Sequence, residues 1–151
     1  MCFVDEEMSQ SGANAFKTAH VHELDNIVAA IETDMGVGRP CGFGYSGDSS
    51  NRKILSDILS PLSILNGTNR VDEDWSGRGV DIIPLIDEGV PGLLLRHDDS
   101  WWLREYFHMH HTASDTIDHV DKDMLALNLQ VLLGAVWLLA NSDERMVRGK
   151  L

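Results

Sequence analysis

The feature that most constrains the fold is an alternation of strand-like and helix-like segments along the chain. NIVAAIETDM (26–35) and VPGLLLRHD (90–98) are short apolar runs that turn polar at their ends, as expected of buried strands. Helical spacing of apolar residues and capping signals predict helices up to about residue 22, over 51–65 and over 122–142. Strands that alternate with helices predict an α/β layer architecture in which helices cover a largely buried sheet.

The remaining segments predict shorter elements. CFV (2–4) predicts a short strand, and the glycine-rich GVGRPCGFGYSGDSS (36–50) predicts a loop. NGTNRVDEDWSGRG (66–79) predicts an exposed loop, and Asp81 is expected to cap a short helix that Gly89 ends. We see no internal repeat or linker, which predicts one structural unit.

The apolar run VLLGAVWLLA (131–140) raises the question of a membrane span. It is about half the roughly 20 residues that cross a bilayer. We therefore expect a buried helix and no membrane span.

Charge and cysteine content exclude some classes of function. Twelve Lys and Arg against 24 Asp and Glu give a formal net charge of −12, which repels phosphate backbones. We therefore expect cations or small substrates as partners, and no nucleic acid. Cys2 and Cys41 make neither a disulfide framework nor a cysteine-based zinc pattern.

Polar residues that follow predicted strands indicate where a ligand would bind. In α/β sheets, ligands bind in the crevice outside the carboxyl ends of the strands. Glu6 and Glu7 follow CFV, and Asp34 lies in the polar end of the run NIVAAIETDM (26–35). YFHMHHTASDTIDHVD (106–121) holds four of the seven histidines. Histidine nitrogen and carboxylate oxygen are ligands of hydrolytic zinc sites, where one carboxylate binds metal and another acts as general base.

Each of these features also has a purely structural interpretation. An acidic pair is common in a solvated turn or at the start of a helix, and Asp34 alone is typical of a cap or turn. His108 and His119 are expected to be surface or packing residues. Asp118 and Asp121 are expected to cap the terminal helix.

Taken in order, three segments resemble a known family. VDEEMSQSGANAFKTAHVHELDNIVAAIETDMG (4–36), GVDIIPLIDEGVPGLLL (79–95) and YFHMHHTASDTIDHVDKDMLALN (106–128) are similar to successive parts of the co-catalytic two-zinc peptidases. The resemblance implies a three-layer α/β fold with a mixed central sheet and helices on both faces. It also implies that residues 1–151 are the C-terminal part of the family's catalytic domain, whose first strands are missing here.

The resemblance implies roles for individual residues. The first glutamate of the family's pair is the general base and the second a zinc ligand, which puts those roles on Glu6 and Glu7. ETDMG differs from the family's E-S-D-x-G only at Thr33, so Asp34 is the implied ligand of the other zinc.

The histidine segment supplies the last implied ligand. In the family's H-H-T-x-x-D-T segment the histidine directly before threonine binds zinc, which implies His111. His110 then stands where relatives hydrogen-bond the developing oxyanion. Asp115 is expected to orient the loop or a ligand through hydrogen bonds, although a structural role is the preferred interpretation.

The implied two-zinc site is incomplete within this sequence. The family takes a further histidine and a metal-bridging aspartate from a segment before the glutamate pair, and only four residues precede Asp5. His20 and His22 are candidate substitutes, but no spacing places them at the crevice. We therefore expect a longer natural form.

Two hypotheses for function follow. The first is a zinc-dependent exopeptidase or dipeptidase acting on short peptides, present here as a C-terminal portion that is inactive alone. The alternative is a non-catalytic relative that binds a partner or regulates a full-length enzyme.

The resemblance also implies a location and an assembly. The parent protein is expected to be extracellular or lysosomal, and Asn66 begins an N-glycosylation sequon. A homodimer is a further expectation, with Trp75, Trp101 and Trp102 as interface, substrate-pocket or packing residues.

Overall fold

The computed structural model describes residues 1–36, 38–65, 68–72, 81–98 and 106–149. Within these ranges, four strands form one mixed sheet in the order β1-β4-β2-β3. β1 pairs parallel with β4, β4 antiparallel with β2, and β2 parallel with β3. The strands are β1 (Ala30–Glu32), β2 (Pro40–Ser46), β3 (Val71–Asp72) and β4 (Gly92–His97).

Five α-helices and three 3₁₀ turns are found in the described ranges. Two helix starts have clear local causes. Asp121 accepts hydrogen bonds from the backbone N–H of Asp123 and Met124, which caps the terminal helix as expected. Pro61 lies in the first turn of a 3₁₀ segment, where its missing N–H costs nothing. The helices are α1 (Ser11–Ala19), α2 (Asn51–Leu59), α3 (Ile83–Ile86), α4 (Phe107–Met109) and α5 (Lys122–Ala140), and the 3₁₀ turns are Leu24–Asn26, Ser60–Ile64 and Ile117–His119.

The sheet separates two apolar cores, because successive side chains of a strand point to opposite faces. In β4, Leu93 and Leu95 pack into a core that α2 and α5 complete, whereas Leu94 packs into a second core. Leu85 of α3 and the partly buried Phe16 of α1 lie in that second core. Helices therefore cover both faces, and the expectation of a three-layer fold with a mixed sheet is confirmed.

β2 lies inside the segment that the sequence predicts as a loop, so that prediction is wrong. Phe43 and Tyr45 alternate with glycines, and both aromatic side chains are buried in the α2/α5 core. Gly42 has φ +149°, and a Cβ there would lie 2.6 Å from the carbonyl oxygen of Arg70. The glycines thus allow close approach of the neighbouring chain within a strand rather than marking a loop.

The N-terminal strand prediction is also wrong. Residues 2–4 adopt no strand, and Phe3 instead packs edge-on against Phe16 with ring centroids 5.6 Å apart. The carbonyl of Val4 accepts a hydrogen bond from the N–H of Gly12 at 3.1 Å. The segment therefore leads into a turn that packs on α1.

α5 is buried on one face only. Val131, Ala135 and Leu139 are buried against the sheet, whereas Leu129 and Leu133 are 63% and 66% exposed. The helix has 19 residues and a mean hydropathy of 1.7 over its apolar window, so its length and composition alone would suit a membrane-crossing helix, as they suit the core helix of a soluble protein. The expectation of a buried helix therefore holds for one face only, since 22% of the apolar window is buried.

A buried polar pair joins α5 to the sheet. Asn128 donates from Nδ2 to the carbonyls of Gly38 and Met124, at 2.9 and 2.7 Å. Its Oδ1 therefore accepts from Nε2 of His97, at 2.7 Å. The pair fixes α5 against the end of β4 and against the chain that follows Asp34.

Candidate active site

A tight turn after the first residues presents the two glutamates. The N–H of Gln10 donates to the carbonyl of Asp5 at 2.8 Å, and Ser9 Oγ bonds the Asp5 carboxylate. Asp5 has φ 62°, a left-handed conformation that reverses the chain there. Glu6 and Glu7 therefore lie in a turn, where adjacent side chains need not point in opposite directions.

The structure brings Glu7 to His111 from the far end of the chain. Glu7 Oε1 lies 3.0 Å from His111 Nε2, although 104 residues separate them. Both side chains are largely exposed, at 65% and 61%. His111 also has a left-handed backbone, with φ 57°, which costs free energy in a residue that carries a Cβ. Because both side chains are exposed, core packing does not account for the contact between Glu7 and His111.

A stack of three rings orients the histidines. Tyr106 stacks on His110 with centroids 4.6 Å apart, and His110 stacks on His111 at 3.7 Å. Tyr106 also packs against the apolar core beneath α1 and α3. Through this stack, the exposed imidazoles are held against the partly buried Tyr106. The residue type at 106 gave no sequence signal beyond its place in an aromatic segment.

Charges at this site act on one another. Burial raises the pKa of Asp34, the charges of Glu7 and Asp81 raise it further, and His110 and His111 oppose the change. Burial also raises the pKa of Glu6, with additional contributions from Asp34, Glu7 and Asp81. These mutual effects are consistent with a common neighbourhood for six side chains, namely Glu6, Glu7, Asp34, Asp81, His110 and His111. We call Glu6, Glu7, Asp34, His110 and His111 the rim site, because they lie at the carboxyl end of β1.

Two acidic residues beside the rim site were not recognised from the sequence. Glu32 ends β1, and its carboxylate accepts hydrogen bonds from the backbone N–H of Asp81 and Ile82, both at 3.1 Å. Asp81 was expected to cap α3, but no side chain of the residues flanking α3 caps it. The carboxylate of Glu32, at the end of β1, instead accepts the N–H groups at the start of α3. In the sequence, the only signal of this arrangement was that the apolar run 26–35 turns polar at its end.

A cavity of about 220 Å³ opens beside the rim site. Asp34, His110 and Tyr106 form one side of it, and Asp115 lies on its lining with an exposed side chain. His119 also lines the cavity, and its Nδ1 lies 3.2 Å from Thr116 Oγ1. The cavity is large enough for a small side chain or a few water molecules.

The donor set of the rim site fits zinc in part. Carboxylate oxygen and imidazole nitrogen are zinc ligands, and two such ligands of one tetrahedral ion lie roughly 3.3 Å apart, close to the separation of Glu7 and His111. Within the described ranges, no group of three or more His, Cys, Asp or Glu side chains is arranged to hold a metal ion. The geometry therefore offers a pair of converging donors with Asp34 nearby.

The other sequence candidates lie elsewhere. His20 stacks on Phe16 at 4.1 Å and contacts its carbonyl, and His22 is exposed beside Glu23. Neither joins the rim site. Asn66, Trp75, Trp101 and Trp102 lie outside the described residues.

Comparisons with known proteins identify the family of this chain. The sequence model of Peptidase family M28 matches residues 1–136. Carboxypeptidase Q of Mus musculus is 29% identical over 143 residues, 95% of this chain and 29% of its own length. Carboxypeptidase Q of Homo sapiens is 30% identical over 141 residues, 92% of this chain and 28% of its own length. This chain thus spans less than a third of those relatives.

A solved structure shares the fold. The crystal structure of a Peptidase M28 precursor from Shewanella amazonensis SB2B superposes with a TM-score of 0.84 at 26% identity, covering 97% of this chain and 32% of that one. The family resemblance stated from the sequence is thereby confirmed.

Proposed function

Because the chain belongs to Peptidase family M28, we propose that it carries part of the active site of a zinc-dependent exopeptidase or dipeptidase that hydrolyses short peptides. The observation that carries the proposal is the convergence of Glu7 and His111, with Oε1 and Nε2 at 3.0 Å. Two exposed side chains that are 104 residues apart in the sequence meet there without a core to force them together.

Each rim residue has a chemical task in this proposal. Glu7, Asp34 and His111 supply the oxygen and nitrogen donors that would hold zinc. Bound zinc would supply Lewis acidity and lower the pKa of a water molecule. Asp115 would orient the cavity loop by hydrogen bonding.

Glu6 is the residue that would move the proton. Partial burial and the neighbouring carboxylates raise its pKa, which brings a carboxylate closer to the operating pH of a general base. It would take the proton of the attacking water and hand it to the leaving amine. His110, held by its stack with Tyr106, would donate a hydrogen bond to the oxyanion.

We further propose that the complete site takes a histidine and a bridging aspartate from a segment that this chain does not contain. Residues 1–151 would then be the C-terminal part of the catalytic domain and inactive alone. Two zinc ions would be the full complement.

The test replaces Glu6 in the longest natural form of the protein. Glu6→Gln removes the base but no proposed ligand, so dipeptide hydrolysis should fall about 10²- to 10⁴-fold while zinc content is unchanged. Glu144→Gln, an exposed site in the C-terminal segment, is the matched control and should leave turnover intact. Hydrolysis by Glu6→Gln at the wild-type rate would exclude this role. A zinc-loaded wild type that hydrolyses no peptide would favour the non-catalytic alternative.

We also propose an extracellular or lysosomal location for the parent protein, with N-glycosylation at Asn66 and assembly as a homodimer. Intact mass before and after enzymatic deglycosylation tests the modification. Sedimentation of the native protein tests the dimer.

A further inference from the structure

We propose that Glu32 is a positioning residue, which holds the Asp81 segment so that the Asp81 carboxylate faces the rim site beside Asp34. The inference rests on the proposed function and adds two residues to its site. It does not require Glu32 to touch substrate or metal.

Both oxygens of Glu32 are already engaged by the backbone. Oε1 accepts from the N–H of Asp81 and Oε2 from the N–H of Ile82, each at 3.1 Å. Two bonds to consecutive amides fix both the position and the direction of the segment that enters α3. These two contacts are what make Glu32 a support for the Asp81 segment.

The side chain of Asp81 is left available by this arrangement. Among the described residues its Oδ1 is shielded from solvent and has no hydrogen-bond partner. Glu32, Asp34 and Asp81 line one cavity of about 620 Å³. A shielded carboxylate oxygen in this position is an acceptor for a cation or for a bound water.

A simple helix cap is the competing explanation for Glu32. A cap would stabilise the four-residue α3 and contribute to folding, but its loss would act independently of the Asp81 side chain. If Glu32 is a positioning residue, its replacement should instead affect the rim site only through the Asp81 side chain. Coupling between the two side chains therefore separates the explanations.

The first measurement is amide hydrogen exchange of residues 81 and 82 in the metal-free chain. Glu32→Ala removes both acceptors and should lower protection of both amides about tenfold, whereas Glu32→Gln keeps one acceptor and should lower it less. Glu144→Ala is the exposed control and should change neither. Unchanged protection in Glu32→Ala would overturn the geometry on which the proposal depends.

The second measurement is a double-mutant cycle with Glu32→Ala and Asp81→Asn. The Asn variant keeps the backbone N–H that bonds Glu32 and removes only the charge. In the longest natural form, we expect each variant to lower kcat about tenfold, and the double variant to lower it about tenfold rather than a hundredfold. Losses that multiply to a hundredfold would overturn the proposal.

The same double-mutant cycle can be measured without turnover, by following the cobalt(II) affinity of each variant through visible absorption. Non-additive losses of affinity would support positioning even if the wild type hydrolyses no peptide. Failure of the inferred role of Glu32 is therefore distinguishable from failure of the proposed function.

Discussion

Two histidine contacts in this protein look alike and are held in different ways. His97 Nε2 lies 2.7 Å from Asn128 Oδ1, and His111 Nε2 lies 3.0 Å from Glu7 Oε1. His97 is 2% exposed and Asn128 4%, whereas His111 and Glu7 are more than half exposed. One contact is enclosed by the fold, and the other lies at the solvent-exposed rim site.

The difference shows what separates a structural histidine from a ligand candidate. Asn128 also bonds two backbone carbonyls, so its amide is committed to the protein. Glu7 and His111 are accessible to a ligand from solvent, and the backbone strain at His111 gains them no burial. Disrupting the enclosed pair should therefore destabilise the fold, and disrupting the open pair should affect binding.

The largest effect is expected from Asn128→Ala. The change removes the acceptor of the buried His97 Nε2–H and the side-chain donor to the Gly38 carbonyl, which should lower the free energy of unfolding by about 3 kcal/mol. Urea denaturation measures it. Asn141→Ala, in which an exposed amide loses one bond to the carbonyl of Trp137, is the control and should cost less than about 0.5 kcal/mol. Equal losses of unfolding free energy in the two variants would contradict the structural role of the enclosed Asn128.

The next largest effect is a pH dependence of the free energy of unfolding that arises from His97. Burial lowers its pKa below the ordinary value of 6.5, with Arg96 acting in the same direction and the Asn128 bond and Asp98 opposing it. Above pH 6.5 the imidazole is neutral in both folded and unfolded chains, so it contributes no slope. Below 6.5 the unfolded chain binds the proton first, so stability should fall until the lowered folded pKa is reached.

His97→Gln isolates this contribution, because the Gln amide can still donate to Asn128 without titrating. Stability of wild type and variant is compared between pH 7 and pH 5. We expect a shallower decline in the variant, and identical slopes would show that the pKa of His97 is not lowered by the fold.

The smallest effect on stability is expected at the open pair. Glu7→Gln should change the free energy of unfolding by less than about 0.5 kcal/mol, because exposed ion pairs contribute little. The same variant should lower zinc affinity in the longest natural form, which isothermal titration measures. Loss of stability without loss of zinc affinity would make Glu7 a structural residue.

Several local features followed from the sequence alone. The terminal helix and its Asp121 cap were predictable because apolar spacing and capping act within a few residues. The rim residues Glu6, Glu7, Asp34 and His111 were named from a family resemblance, and the structure brings them to one edge of the sheet. Their chemical roles are still predictions.

Other features depended on contacts between distant segments. The glycine-rich segment becomes β2 because β4 and the Arg70 chain pass close beside it, and that closeness is invisible in composition. Glu32 acts on Asp81 across 49 residues, so a residue that reads as a polar strand end supports another segment. His97 and His111 have the same side chain, and only their burial distinguishes them. The sequence thus determined the terminal helix with its cap and the candidate chemistry. Tertiary packing decided whether 36–50 forms a strand and which polar groups are buried or exposed, because burial and partners exist only once distant segments meet.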